Sequence, residues 1–197
     1  MHDYQKNIET LNLDAWSDGQ MRSKLWLCDL IEKDFQNKKE PLDIWIMGSW
    51  YGLLAQFLLI RGRLPLKRFR LFDMDPEAIR ISQKMLNHWL IKSDIEIHHH
   101  LQDCTQIPER DWSTPPNILI NTSTEHFENE KWMNFPSGIY FYAQSTNMEH
   151  PTHINKPTSL DDFKKRLGPI TRMTYADKME FRYPNFEFDR YMIAGIR

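Results

Sequence analysis

The chain has 197 residues and a mass of 23.8 kDa, the size of one domain, and its 41% hydrophobic and 26% charged residues exclude a disordered polypeptide. Its 25 basic and 27 acidic residues leave a net charge of −2, too little positive field to draw it to nucleic acid. No apolar run approaches the roughly 20 residues that span a bilayer, MHDYQKNIET lacks a signal-peptide pattern, and Cys28 and Cys104 are too few for a disulfide framework or a zinc site. A cytoplasmic protein with a small-molecule partner is expected, its oligomeric state left open.

Residues 1–40 read as a polar lead and a helical segment that could act as a lid over a core at 41–197. Trp16-Ser17-Asp18-Gly19 is a turn with Ser17 or Asp18 as N-cap, and Met21, Leu25, Leu27, Cys28 and Ile31 form a helical stripe. The core then alternates. A strand at 43–47 leads to a helix at 51–62, and a strand at 68–73 leads to a helix at 76–91, opened by Pro76 and Glu77. A strand at 94–98 is followed by a short turn or helix near 105–112, and a strand at 117–121 by a helix at 126–134. A strand at 138–143 precedes a polar loop at 144–158, and Ser159 caps a helix at 160–167. Strands near 170–176 and 187–195 close the chain as a hairpin. Alternating strands and helices predict a parallel sheet, with an antiparallel element from the last pair.

Ligands of such sheets lie beyond the carboxyl ends of the strands. After the first strand come Gly48, Ser49, Trp50, Tyr51 and Gly52; after the second, Asp73 and Met74; after the third, Asp103 and Cys104. The glycines would let the backbone approach a ligand, or serve as a turn glycine and a helix-packing glycine. Asp73 stands about 25 residues after the first glycine, where nucleotide-binding folds place an acid for the ribose hydroxyls.

LFDMDPEAI followed by QDCTQIP resembles the class I S-adenosylmethionine-dependent methyltransferases. The resemblance implies a Rossmann-like α/β fold, a mostly parallel seven-stranded sheet with an antiparallel edge strand and helices on both faces, and S-adenosylmethionine as cofactor. It implies that Asp73 holds the ribose, that Asp103 faces the adenine amino group and that the N–H of Cys104 meets a ring nitrogen. The family's acid two residues before the first glycine is Ile46 here, and its glycine-rich loop is Ser49-Trp50-Tyr51. The chain is also similar to small methyltransferase-like proteins of phages and bacteria through the block Trp16 to Leu27, Gly-Ser-Trp-Tyr-Gly, Asn121 to His126 and the closing Arg-Tyr-Met-Ile-Ala-Gly.

Asn121 to His126 ends the fourth strand, nearest the transferred group in that fold. It lacks the Asn/Asp-Pro-Pro-aromatic motif of many amine methyltransferases. Asn121, Glu125 and His126 are the candidate catalytic residues, Glu125 or His126 as general base. Ser123 or Thr124 could equally cap the next helix, with Glu125 at its N-terminus and His126 merely packing. Lys24, Gln144, Asn147, His153 and Arg190 are candidate acceptor contacts, and Trp16, Trp26, Trp50 and Tyr51 could wall an apolar pocket. Arg190, in an apolar strand, needs a carboxylate from the protein or from a substrate. Glu149, His150 and His153 signal a metal site only weakly, and His98-His99-His100 alternates in direction as an exposed strand end, so no metal is expected. Methyl transfer to a small polar, amino-acid-like acceptor is the leading expectation. Cyclisation or cleavage of the cofactor's methionine tail and a non-catalytic binding module are the alternatives.

Overall fold

The computed structural model describes residues 11–168 and 170–197, so the polar lead at 1–10 lies outside the described residues. Seven strands form one sheet: β1 (Leu42–Met47), β2 (Leu66–Asp73), β3 (Glu96–Leu101), β4 (Ile118–Asn121), β5 (Tyr140–Thr146), β6 (Arg172–Arg182) and β7 (Glu187–Ile196). Their order is β3-β2-β1-β4-β5-β7-β6. The strands β1 to β5 run parallel, and β7 runs antiparallel to both β5 and β6. The hairpin thus builds the antiparallel end of the sheet, with β6 outermost.

Helices α1 (Asp18–Phe35), α2 (Leu53–Arg61) and α3 (Pro76–Lys92) cover one face. There Leu27, Ile31, Leu54, Leu58 and Leu86 pack on Ile44 and Ile46. The alternate residues Trp45 and Met47 point to the other face and meet Trp132, Phe163 and Leu167, the last two from α4 (Leu160–Leu167). The strand β1 is buried along its whole length because both faces are covered.

Leu27, Cys28, Ile31 and Phe35 seat α1 in the core, with Leu25 on its outer side. Two expectations are corrected. In place of a helix at 126–134 stand two 3-10 turns, Thr124–His126 and Glu130–Met133. The side chain of Asn129 accepts from the Lys131 N–H at 3.0 Å and starts the second turn separately, which ends any continuous helical ladder. The strand β3 extends through His98, His99 and His100, so the triplet is not a free end. His99 Nε2 lies 3.0 Å from Ser82 Oγ, and burial pushes the ring down to a pKa of about 4; His100 stacks on Phe72. Among the described residues no helix is long and apolar enough to cross a membrane.

Candidate functional site

The chain runs outward from β1 to β3, then returns to β4 on the other side of β1. That reversal makes the carboxyl ends of β1 and β4 the topological switch point, the place where open α/β sheets take their ligands. Met47 pairs with Phe72 and Asn121, and Asn121 with Ala143, so Gly48, Asp73, Thr122 and Gln144 follow in one row at this edge.

The loop after β1 is tightly wound. Gly48 and Gly52 have φ of +61° and +73°, in the left-handed region that favours glycine. A Cβ would stand 3.2 Å from the Ser123 Cβ at Gly48 and 2.5 Å from Ser82 Oγ at Gly52. Both glycines therefore admit protein neighbours, which supports the turn-and-packing reading over close approach to a ligand. Trp50, at φ +48°, is a bulky residue in a conformation that costs about 1–3 kcal/mol. Asp73 offsets this strain: the Trp50 N–H donates to Asp73 Oδ2 at 2.7 Å, and the Asp75 N–H donates to Oδ1 at 3.0 Å. Each oxygen keeps a lone pair for a further donor. Burial raises the Asp73 carboxyl above its usual range, against the pull of these N–H groups.

Two polar atoms beside this loop are buried without a partner among the described residues, Ser49 Oγ and Asn121 Nδ2. Buried polar groups rarely stay unpaired, so their place at the switch point suits a polar ligand. Asp103 differs from Asp73. Its Oδ1 accepts from the Thr105 N–H and hydroxyl, both at 2.8 Å, and Oδ2 accepts from Gln106 Nε2 at 2.8 Å. Burial opposes ionisation there, but these donors prevail and hold its carboxyl below the usual range. This carboxylate is engaged by its own turn. Burial pushes the Cys104 thiol up to about 12, leaving it neutral, and Met74 stands 68% exposed at the rim. Trp50 and Tyr51 lie 4.9 Å apart by ring centroid and Trp16 and Tyr51 6.0 Å apart, whereas Trp26 donates to Tyr175 Oη in the core and walls no pocket here.

A second polar cluster lies under the ends of β4 and β5. Arg190 Nη1 meets Glu125 Oε1 at 3.2 Å, with the two residues 5% and 2% exposed, and Ser145 Oγ donates to Glu125 Oε2 at 3.3 Å. Arg190 thus pairs with a protein carboxylate, and Glu125 is committed to it rather than free as a base. Gln144, Ser145 and Thr146 belong to β5, not to a loop. Gln144 Nε2 donates to the Ser23 carbonyl at 2.9 Å and ties β5 to α1, while Gln144 Oε1 and Arg190 Nε have no partner among the described residues. Asn147 Oδ1 accepts from the Asp189 N–H at 2.7 Å and extends the β5–β7 pairing, so it is structural. The Ser145 hydroxyl on Glu125 was not foreseen; its only sequence signal is its place at the end of β5.

Lys24 is 8% exposed and bonds Gln20 Oε1. Burial first, then the neighbouring Arg190 charge, lowers it to about 7, with Glu125 opposing. The folded pKa lies below the unfolded value near 10.4, so the unfolded chain binds more protons across pH 7 to 10 and stability rises with pH through that window. Lys24→Met is expected to remove this slope and to gain on the order of a few kcal/mol relative to wild type at pH 6. Urea unfolding of both proteins at pH 6 and pH 10 checks it; equal slopes would contradict the burial of a charge at Lys24.

Glu125, His126 and His153 place one ligand-type atom each within 4.8 Å of one another, a grouping that joins the end of β4 to the loop after β5. Burial lowers the pKa of His153, which favours its neutral ring. Glu149 is engaged by Lys156, which removes it from the metal set weighed from sequence.

No protein-family model matches the chain, and no curated protein matches it in sequence. Solved structures share its fold. Magnesium protoporphyrin IX methyltransferase from Synechocystis, with bound S-adenosylmethionine, superposes with a TM-score of 0.64 at 13% identity, over 98% of this chain and 86% of that one. The N-methyltransferase NodS from Bradyrhizobium japonicum, in complex with S-adenosylhomocysteine, gives 0.63 at 11% identity, over 96% and 93%. The CMeT domain of the citrinin polyketide synthase gives 0.64 at 16% identity, and the chain covers 54% of that domain's length and 92% of its own. The chain has the class I methyltransferase fold.

Proposed function

We propose that the chain binds S-adenosylmethionine at the carboxyl ends of β1 and β4 and transfers its methyl group to a small polar acceptor resembling an amino acid. The observation that carries this reading is the latch of Asp73 onto the strained Trp50 N–H, beside the unpartnered Ser49 hydroxyl and Asn121 amide at the switch point of the sheet. The cofactor would supply an already activated methyl on its sulfonium, so the protein's part is alignment and exclusion of water. Asp73 would accept hydrogen bonds from the ribose hydroxyls. Asp103 Oδ2, which accepts one bond from the Gln106 amide, would take the adenine amino group on its second lone pair. Ser49 and Asn121 would bond the rest of the cofactor.

The buried cluster supports the acceptor class. The free Arg190 Nε suits a carboxylate, and the free Gln144 Oε1 suits an amine. Lys24, lowered to about 7, would serve as the proton acceptor, while the Glu125 carboxylate holds Arg190 in place. His126, exposed at the surface, borders this cluster on the Glu125 side.

Ile46, Trp50 and Tyr51 replace the acid and glycines expected around the methionine tail, which favours, as a second reading, a reaction on that tail. Calorimetry with S-adenosylmethionine and S-adenosylhomocysteine, followed by product analysis with candidate amino acids, tests both. S-adenosylhomocysteine as product supports methyl transfer; methylthioadenosine supports attack on the tail; bound but unchanged cofactor indicates a binding module. Absence of binding would end the proposal.

A further inference from the structure

The group formed by Glu125, His126 and His153 has the features of a built metal site beyond mere proximity. The His126 Nδ1 lies 3.1 Å from the Thr152 carbonyl, and the His153 Nδ1 lies 2.8 Å from the Met148 carbonyl. A carbonyl only accepts, so each Nδ1 carries a hydrogen, and it is Nε2 that offers the lone pair in the neutral ring. Metal-binding histidines are oriented in this way, by an outer hydrogen bond that fixes tautomer and ring plane. The rings stand 4.9 Å apart at 78°.

The loop that carries His153 is pinned to the turn that carries the other two. The Asn155 N–H donates to the Glu125 carbonyl at 3.0 Å, and Asn155 Nδ2 donates to Glu130 Oε1 at 2.9 Å. Arg166 bonds the Asn155 side-chain oxygen as well, which ties the loop to α4. His150, though its ring lies 5.1 Å from that of His153, is in the wrong state to join. Its Nδ1 accepts from the Thr152 N–H at 3.3 Å, so its hydrogen sits on Nε2.

We propose that Glu125, His126 and His153 bind one divalent transition-metal ion of the zinc, cobalt and iron class. Two neutral imidazoles and one carboxylate suit those ions, whereas magnesium and calcium prefer all-oxygen sets. Three protein ligands, with His126 at the surface, leave coordination positions open, as in sites where a metal acts on a bound molecule rather than on the fold. Arg190 on Oε1 and Ser145 on Oε2 orient the Glu125 carboxylate, so they are positioning residues for this site.

The test uses the full chain, stripped with chelator and dialysed, titrated calorimetrically with Zn²⁺ and followed by visible absorption with Co²⁺. One ion per chain is expected. His126→Asn and His153→Asn should each weaken binding at least about tenfold and change the cobalt spectrum, the scale on which metal-site lesions act. His150→Asn should leave both unchanged. Both metal-ligand substitutions fall at exposed or half-exposed positions, and far-ultraviolet circular dichroism will show that they fold. No stoichiometric binding by the wild type overturns the proposal, as does an affinity that both substitutions leave unaltered, which would place the ion elsewhere. Because no sulfonium cofactor is present, failure here does not bear on the methyl-transfer reading, nor the reverse.

Discussion

Arg190→Met is expected to lower folding stability by about 3–5 kcal/mol, because it leaves the Glu125 carboxylate buried without its partner. The Ser145 hydroxyl at 3.3 Å cannot neutralise a charge. The double substitution Glu125→Leu with Arg190→Met should recover most of the loss, since a buried ion pair can give way to apolar side chains of similar volume at little net cost. Lys24 adds a pH signature. With Arg190 gone, its repulsion on Lys24 is gone too, and a protonated Lys24 can partly compensate Glu125. The cost of Arg190→Met should therefore be smaller at pH 6 than at pH 9. Urea unfolding midpoints at constant m-value, at both pH values, measure this. A loss below about 1 kcal/mol would mean that the pair is solvated and not the buried one described.

Asp73→Ala is expected to weaken S-adenosylmethionine binding by about 1.5–3 kcal/mol, the scale of hydrogen bonds to a charged group, or roughly ten- to 150-fold in Kd. Two effects add. The carboxylate that would hold the ribose is removed, and the Trp50 N–H loses the acceptor that keeps its loop wound. Asp103→Ala should cost less, because its carboxylate is less buried than that of Asp73 and water can replace the bond it makes to the adenine. Calorimetry on both variants separates the two acids. Equal affinities for wild type and Asp73→Ala would remove Asp73 from the site and, with it, the assignment of the switch point.

The legible parts of the chain were those in which neighbouring residues decide the outcome. The apolar run Ile44 to Met47, the Pro76-Glu77 start of α3 and the Ser159 cap of α4 each specify their element through contacts a few residues apart. The stretch 126–134 misled for the same reason. Its composition permits a helix, but Asn129 and the burial of Trp132 and Met133 against the second face favour two short turns. The seating of α1 was not legible because the same apolar stripe serves a lid or a core helix; the Gln144 tie to Ser23 and the packing of Ile31 and Phe35 bind it to the sheet.

By itself the sequence determined the alternation of strands and helices and the acids at the tips of β2 and β3, since period and punctuation are local properties of the chain. Only the tertiary structure decided that Arg190 pairs with Glu125 across 65 residues, that burial beside them lowers the Lys24 pKa, and that His153 comes to face His126. Those contacts form between strand ends and loops that the sheet brings together, and their energies depend on the exclusion of water by everything packed around them, which no local spacing encodes.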